Sequence, residues 1–370
     1  MINIDNFIKK LKNNKLHFCT GVPDSLLKDL CFGFDKKFKQ NHIIASNEGS
    51  AVALGIGYHL KTKKIPIVYL QNSGFGNMIN PIISLADSKV FKIPLFIIMG
   101  WRGERSANLK DEPQHITQGF LTEKFLKNLK IKFKIINYKS NYSEYIKYLA
   151  NYAKINNSPV CLLIRKNVFQ KKKITNKKNK NKKFPRREDY LKYIFKNLSK
   201  NFNSVSTTGL VSRELYEILQ NNKKINNFMC VGGMGHAISI ASGIAKNSKK
   251  KIICFDGDGS ITMHLGSLAT SSKINNLIHI VFNNYSHESV GGHENSAKHV
   301  KFHKLSKILG YHNSMFATNK KQALKSIKKA FKLKGSSFIE IFCEKGHRTN
   351  ISRPKEKMTN LKLKFMKNLK

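Results

Sequence analysis

Residues 255–290 read FDGDGSITMHLGSLATSSKINNLIHIVFNNYSHESV, and the rest of the chain is organised around them. An apolar strand runs into a tight Gly257-Asp258-Gly259-Ser260 turn that opens a helix, and a second apolar strand then ends in Asn283-Asn284. This order places one carboxylate and one side-chain amide at the same sheet edge, beside a helix N-terminus expected after Ser260. Mg²⁺ takes hard oxygen ligands in octahedral geometry and keeps positions for phosphate oxygens and water. The two glycines let the backbone come close to a bound diphosphate, and the helix N-terminus favours its negative charge. A Gly-Asp turn alone is ordinary turn chemistry. The helix, strand and paired asparagines that follow it make the reading specific.

Working outward, two halves each alternate apolar strands with helical segments, the pattern of an α/β protein with parallel sheets. Strands are expected at HIIA (42–45), IPIVYL (65–70), PLFIIM (94–99), KFKII (132–136) and PVCLLI (159–164). In the second half they are expected at KIICFD, LIHIVF and SFIEIF, with others near Val205 and Met229. Between the halves lies VFQKKKITNKKNKNKKFPRRED, lysine-rich and almost without apolar content, which reads as an exposed linker. The expected division is a domain over 1–170, a basic linker over 171–185 and a second domain over 186–370. That second domain ends in a basic, loosely ordered tail after Pro354.

The 370 residues suffice for two domains of ordinary size, and 41% hydrophobic content gives each a core. The six cysteines are scattered without a CxxC pair, several in apolar strand-like runs, and read as reduced core thiols of a cytoplasmic protein. No signal peptide is visible, and the apolar run from Ile93 to Trp101 is too short to span a bilayer. The formal net charge of +45 fits either nucleic-acid binding or a bias in genome base composition. The lysines are spread along the whole chain among abundant Asn and Ile, and no recognised nucleic-acid motif accompanies them. No specific nucleic-acid partner and no membrane are therefore expected.

The GDG turn followed by helix, strand and NN resembles the diphosphate- and metal-binding signature of thiamine diphosphate enzymes. The resemblance implies two doubly wound parallel-sheet domains, a pyrimidine-binding domain and then a diphosphate-binding domain, with thiamine diphosphate and Mg²⁺ as cofactors. It makes Asp258 and Asn284 metal ligands together with the backbone carbonyl of Ser286. Gly257, Gly259 and Ser260 then lie against the diphosphate. In the first half, Ala45-Ser46-Asn47-Glu48-Gly49 sits where a strand gives way to a helix. On its own Glu48 reads as an acid complementing a helix dipole. The resemblance instead makes it the carboxyl group that hydrogen-bonds N1′ of the cofactor pyrimidine, with its pKa raised in an apolar site. Met234 and Gly235, in VGGMGHA (231–237), match the position of an apolar wedge beneath the cofactor. A core methionine at a glycine-rich turn is the other reading.

The likeness extends to TGVPDSLLKDL (20–30), NEGSAVALGIGYHL (47–60), YLQNSGFGN (69–77), GWRGE (100–104), KDEPQHITQG (110–119) and NNYSHESVGGHEN (283–295). These stretches resemble the phosphonopyruvate decarboxylase family, compact two-domain thiamine diphosphate enzymes. The resemblance implies decarboxylation of 3-phosphonopyruvate to phosphonoacetaldehyde, a step of phosphonate biosynthesis, on a small anionic 2-oxoacid. It also implies a homodimer or larger assembly with the active site between subunits. Sulfopyruvate decarboxylase is the neighbouring alternative, and a non-catalytic basic nucleic-acid-associated protein the distant one. His115 and His287 are candidate acid–base groups, or structural histidines. Asp24 is a candidate for proton handling, or an acid in the first turn of a helix entered through Pro23. Arg102 is the first candidate for the phosphonate because its fork meets two oxygens together. Ser25, Lys110 and Arg353 are further candidates. Two positions depart from the expected pattern: Tyr285 is bulky after NN, and Glu288 stands where an Asp is more usual.

Overall fold

A computed structural model of the chain describes residues 1–104, 111–170, 183–220, 225–354 and 356–369. The chain forms two compact units, Met1–Asn176 and Lys177–Lys370. Lys110 and residues 171–182 of the expected linker lie outside the described residues.

The first unit is built on β1 (Cys19–Gly21), β2 (His42–Ile44), β3 (Ile67–Gln71), β4 (Phe96–Gly100), β5 (Lys132–Ile136) and β6 (Val160–Ile164). They form one parallel sheet in the order β2-β1-β3-β4-β6-β5. The helices between them are α1 (Ile4–Asn13), α2 (Lys28–Phe38), α3 (Glu48–Thr62), α4 (Phe75–Pro81), α5 (Pro113–Asn128) and α6 (Tyr142–Asn156). β3, β4 and β6 are continuous apolar runs because helices cover both faces of the sheet. Tyr69, Ile98 and Leu162 pack into one core layer, and Val68, Ile97 and Leu163 into the other. Leu162 is fully buried at the sheet centre. Truncating it to Ala would cost about 2–5 kcal/mol through lost burial and the cavity left behind.

The second unit carries β7 (Phe202–Ser206), β8 (Ile225–Met229), β9 (Ile252–Gly257), β10 (Leu277–Asn283), the short hairpin β11 (Ser286–His287) and β12 (His293–Glu294), β13 (Asn313–Ala317) and β14 (Ser337–Phe342). Six of these form a parallel sheet in the order β13-β14-β10-β9-β7-β8. Its helices are α7 (Arg187–Asn197), α8 (Leu210–Leu219), α9 (Ala237–Lys246), α10 (Asp258–Met263), α11 (Ser267–Ser272), α12 (Phe302–Ile308), α13 (Lys320–Lys332) and α14 (Met358–Lys367). In α13 the Asn319 side chain caps the N-terminus by accepting from Gln322 N, satisfying one of the free N–H groups there. Ala323, Leu324, Ile327 and Ala330 form its buried stripe.

Both units are doubly wound parallel sheets, the expected fold class. The strand pairing that matters most is β9 beside β10, with Gly257 opposite Phe282. It brings the GDG turn and the asparagine pair to one sheet end, where ligands of such sheets bind.

Several details correct the sequence reading. The helix at the GDG turn begins at Asp258 itself, with Gly257 as its cap, and not after Ser260. Residues beyond Pro354 are not a loose tail throughout, because α14 packs on edge strand β8. Phe365 is buried against Phe228 with ring centroids 5.5 Å apart, and its carbonyl accepts from Asn226 Nδ2 at 2.9 Å. One well-placed aromatic overcomes the solubility of the surrounding lysines. Residues 183 and 184, which the sequence assigns to the linker, donate their backbone N–H groups to Glu344 Oε1. All six cysteines are buried and free.

Candidate active site

In the second unit, Asp258 opens α10 and is 4% exposed. Its Oδ2 accepts from the Ser286 backbone N–H and from Asn295 Nδ2, each at 3.0 Å. The same Ser286 N–H also reaches Asn284 Oδ1 at 3.1 Å. Carboxylate and amide oxygen thus converge on one point, with the buried Ser286 hydroxyl beside them left without a hydrogen-bond partner. Burial pushes the Asp258 carboxyl up to about 6 despite these donors, so the carboxylate has less countercharge around it than its burial calls for. Hard oxygen donors, an excess of buried negative character and a spare hydroxyl are what a divalent cation fits. Asp258 and Asn284 could hold Mg²⁺ here.

Ser260 ties the glycine-rich loop to this turn. Its Oγ accepts from Gly235 N at 3.1 Å and lies 2.9 Å from Thr207 Oγ1. Gly235 has φ +90°, and a Cβ there would stand 2.5 Å from His264. Only glycine suits that position, and it presents the half-buried Met234 beside it. Gly259 has a similar constraint, since a Cβ would meet His287 Nδ1 at 2.7 Å. His287 is 6% exposed, and burial and then His293 push its imidazole down to about 4. It is a neutral group packed on the GDG turn.

Tyr285 accounts for the bulky residue after NN. Its φ is +57°, the left-handed region where glycine is at home. Two side-chain turns hold it there: Asn283 Oδ1 accepts from Tyr285 N at 3.2 Å, and Asn284 Oδ1 accepts from Ser286 N.

In the first unit Glu48 is the first residue of α3, capped by Asn47, and is 6% exposed. Its Oε2 accepts from Asn77 Nδ2 at 2.7 Å, and a Cβ on Gly74 would meet Oε1 at 2.2 Å. Burial raises its pKa. Glu48 is thus an acid in the first turn of α3, as the dipole reading has it, but a buried one rather than a solvated one. Gly74 leaves the space its carboxyl group fills.

Asp24 is not in the first turn of a helix, because α2 begins only at Lys28. It sits in the preceding loop, 1% exposed, and accepts from the backbone N–H groups of Leu26, Leu27 and Ser25. Its Oδ2 has no hydrogen-bond partner, and burial lifts it to about 6. Ser25 and Arg102 adjoin it: Arg102 Nη1 donates to Ser25 Oγ at 2.8 Å. The rest of the Arg102 fork is engaged by Asp111, through Nε at 2.8 Å and a close Nη2 contact. Arg102 therefore offers one edge, not a free two-toothed fork. Asp111 itself accepts from Gly103 N and Glu112 N. His115 lies in the first turn of α5, 8% exposed, its pKa lowered by burial and then by Arg102. The structure thus gathers Asp24, Ser25 and Arg102, with His115 within reach of the arginine's charge. Arg353 is exposed in the C-terminal segment of the other unit.

Sequence reasoning missed Asn77, Asp111 and Asn295. All three lie inside the stretches quoted for the resemblance, but the partner each serves, 29, 9 and 37 residues away, shows only in the fold.

Residues 4–130 match the thiamine pyrophosphate enzyme N-terminal TPP-binding domain, and residues 205–341 the C-terminal TPP-binding domain. A phosphonopyruvate decarboxylase of Streptomyces viridochromogenes is 27% identical, over 96% of this chain and 92% of that protein. A sulfopyruvate decarboxylase of Methanosarcina acetivorans is 25% identical over 93% of this chain and 92% of its own. The sulfopyruvate decarboxylase subunit beta of Methanocaldococcus jannaschii is 36% identical over 34% of this chain and 68% of its own. The chain belongs to the thiamine diphosphate enzymes. Within them it is a thiamine diphosphate-dependent 2-oxoacid decarboxylase, of a family whose usual partner metal is Mg²⁺.

Proposed function

We propose that the protein decarboxylates 3-phosphonopyruvate to phosphonoacetaldehyde and CO₂. The observation that carries this reading is the end-to-end likeness to phosphonopyruvate decarboxylase, 27% identity over 96% of the chain. Thiamine diphosphate supplies the electron sink of the reaction, and the protein supplies position and electrostatics. Asp258, Asn284 and the Ser286 carbonyl would hold the metal, and Gly257, Gly259 and Ser260 would bind the diphosphate. Met234 and Gly235 shape the loop beside it. Glu48, its pKa raised by burial, would hold a proton for the cofactor pyrimidine. Asp24 and His115 handle protons near the substrate, and His287 contributes from the GDG side.

Arg102 and Ser25 receive the phosphonate through the Nη1 edge, since Asp111 fixes the other edge of the guanidinium. Lys110 and Arg353 are secondary donors. Each unit by itself carries part of this machinery, Glu48 in the first and Asp258 with Asn284 in the second, and the chain acts in the cytoplasm as a homodimer or larger assembly.

Steady-state kinetics of Arg102→Ala tests the substrate reading. One charge-assisted hydrogen bond is worth about 1.5–3 kcal/mol, roughly tenfold or more in kcat/KM. The variant should lose that factor on phosphonopyruvate and much less on pyruvate, which lacks the phosphonate. Equal losses on both would remove Arg102 from phosphonate recognition. Sulfopyruvate is the second reading, favoured by the full-length likeness to the Methanosarcina acetivorans enzyme.

A further inference from the structure

The structure gives Glu288 a definite set of partners. Its Oε2 accepts from Asn284 Nδ2 at 3.1 Å and from Arg187 Nη1 at 3.2 Å. Its Oε1 accepts from the Gly346 backbone N–H in a close contact, with His347 Nδ1 at 3.6 Å. The Glu288 side chain is 9% exposed. Arg187 does not depend on it, because Nε and Nη2 already form a two-toothed pair with buried Glu214 at 2.7 and 2.8 Å. A simple counter-charge for Arg187 would therefore be redundant.

The Asn284 amide has a carboxylate on its nitrogen side and the Ser286 N–H on its oxygen side. Flipping it would oppose Nδ2 to an N–H donor and Oδ1 to a carboxylate, two repulsive contacts in a buried place. Asn283 is held the same way. Its Nδ2 donates to fully buried Glu340 at 2.8 Å, and Glu340 in turn accepts from His303 N at 3.0 Å. Each asparagine of the pair is thus oriented by an acid, Asn284 by Glu288 four residues on and Asn283 by Glu340 on β14, which leaves both amide oxygens to bond the left-handed Tyr285 turn.

We infer that Glu288 is a positioning residue for the metal site. It clamps the Asn284 amide so that Oδ1 stands beside Asp258, and it is itself fixed by Arg187 and by the backbone at Gly346. The inference rests on the reading of Asp258 and Asn284 as metal ligands. Partners of this kind, one step behind the ligands, change metal affinity by about 10–100-fold when removed.

The test is Mn²⁺ titration of the full chain, followed by electron paramagnetic resonance with thiamine diphosphate saturating. Glu288→Ala should raise the Mn²⁺ Kd by about 10–100-fold, while the apo protein keeps a cooperative melt and a native circular dichroism spectrum. Glu288→Gln, which keeps an acceptor oxygen but loses the charge, should show a smaller rise and stands in if the Ala variant does not fold. In an Asn284→Ala background neither change should weaken binding further, because there is then no amide to orient. A wild-type Kd in Glu288→Ala, or an equal loss with and without Asn284, would overturn the inference. Asp258→Ala separates the two levels. If it binds Mn²⁺ like wild type, the ligand reading fails, and if it alone abolishes binding, only the role of Glu288 is at fault.

Discussion

Asp258 and Asn284 share a single backbone donor, the N–H of Ser286, at 3.0 and 3.1 Å. Two side chains 26 positions apart are brought to one point by the parallel pairing of β9 with β10. Asp258→Ala should abolish metal-dependent binding of thiamine diphosphate, measured by calorimetric titration, and leave the apo fold intact. The Ser286 N–H keeps its bond to Asn284 Oδ1, so the fold loses only the partner of Asn295 Nδ2, a cost of about 1–3 kcal/mol that a cooperative fold can absorb. Retained cofactor affinity would show that Asp258 is not the metal's ligand.

Glu48→Gln should bind cofactor near the wild-type affinity yet lose about 10²- to 10⁴-fold in turnover, the range for a positioned acid–base group. Gln can still accept from Asn77 Nδ2 through its amide oxygen, so the local bond survives. Turnover at the wild-type rate would take Glu48 out of the reaction.

Asp24 gives a pH prediction for the apo protein. Its carboxyl titrates at about 6 when folded against 3.8 as an ordinary Asp. Between those values the folded state binds more protons than the unfolded one, so stability falls as pH rises through this window and the loss is complete above about 6. Two pH units correspond to about 3 kcal/mol at 1.36 kcal/mol each. Denaturant unfolding at pH 4 and pH 7 should show wild type losing stability relative to Asp24→Asn by that order. Parallel behaviour of the two proteins would mean that Asp24 is ordinary in the folded state.

Tyr285 inverts a familiar ranking. Gly is normally less stable than Ala, but at φ +57° the Cβ is penalised by about 1–2 kcal/mol. Tyr285→Gly should therefore be more stable than Tyr285→Ala by about 1 kcal/mol, since both lose the same ring. Thermal melts of the pair decide it, and an Ala variant as stable as Gly would mean that the turn relaxes in solution.

Much of this was legible in the sequence. Long apolar runs such as PVCLLI and LIHIVF declare strands buried on both faces, and GDG with NN marks the two turns that the fold brings to one sheet end. β1 and β13 escaped because Cys19–Gly21 is only three residues long and Asn313–Ala317 has little apolar pattern. α14 escaped because one phenylalanine anchors it among lysines. Glu288 was visible as a departure, but its meaning needed Arg187, 101 residues away, and Gly346, 58 residues away. Arg102 was legible as a cation, yet not that Asp111 already occupies most of its fork.

The most direct test of the account is the substrate itself. Purified protein with thiamine diphosphate and Mg²⁺ is given phosphonopyruvate, sulfopyruvate and pyruvate separately, and CO₂ release is followed with identification of the aldehyde product. The account predicts the highest kcat/KM on phosphonopyruvate, phosphonoacetaldehyde as product, and no turnover when thiamine diphosphate is withheld. A preference for sulfopyruvate, or no cofactor-dependent CO₂ release from phosphonopyruvate, would contradict it.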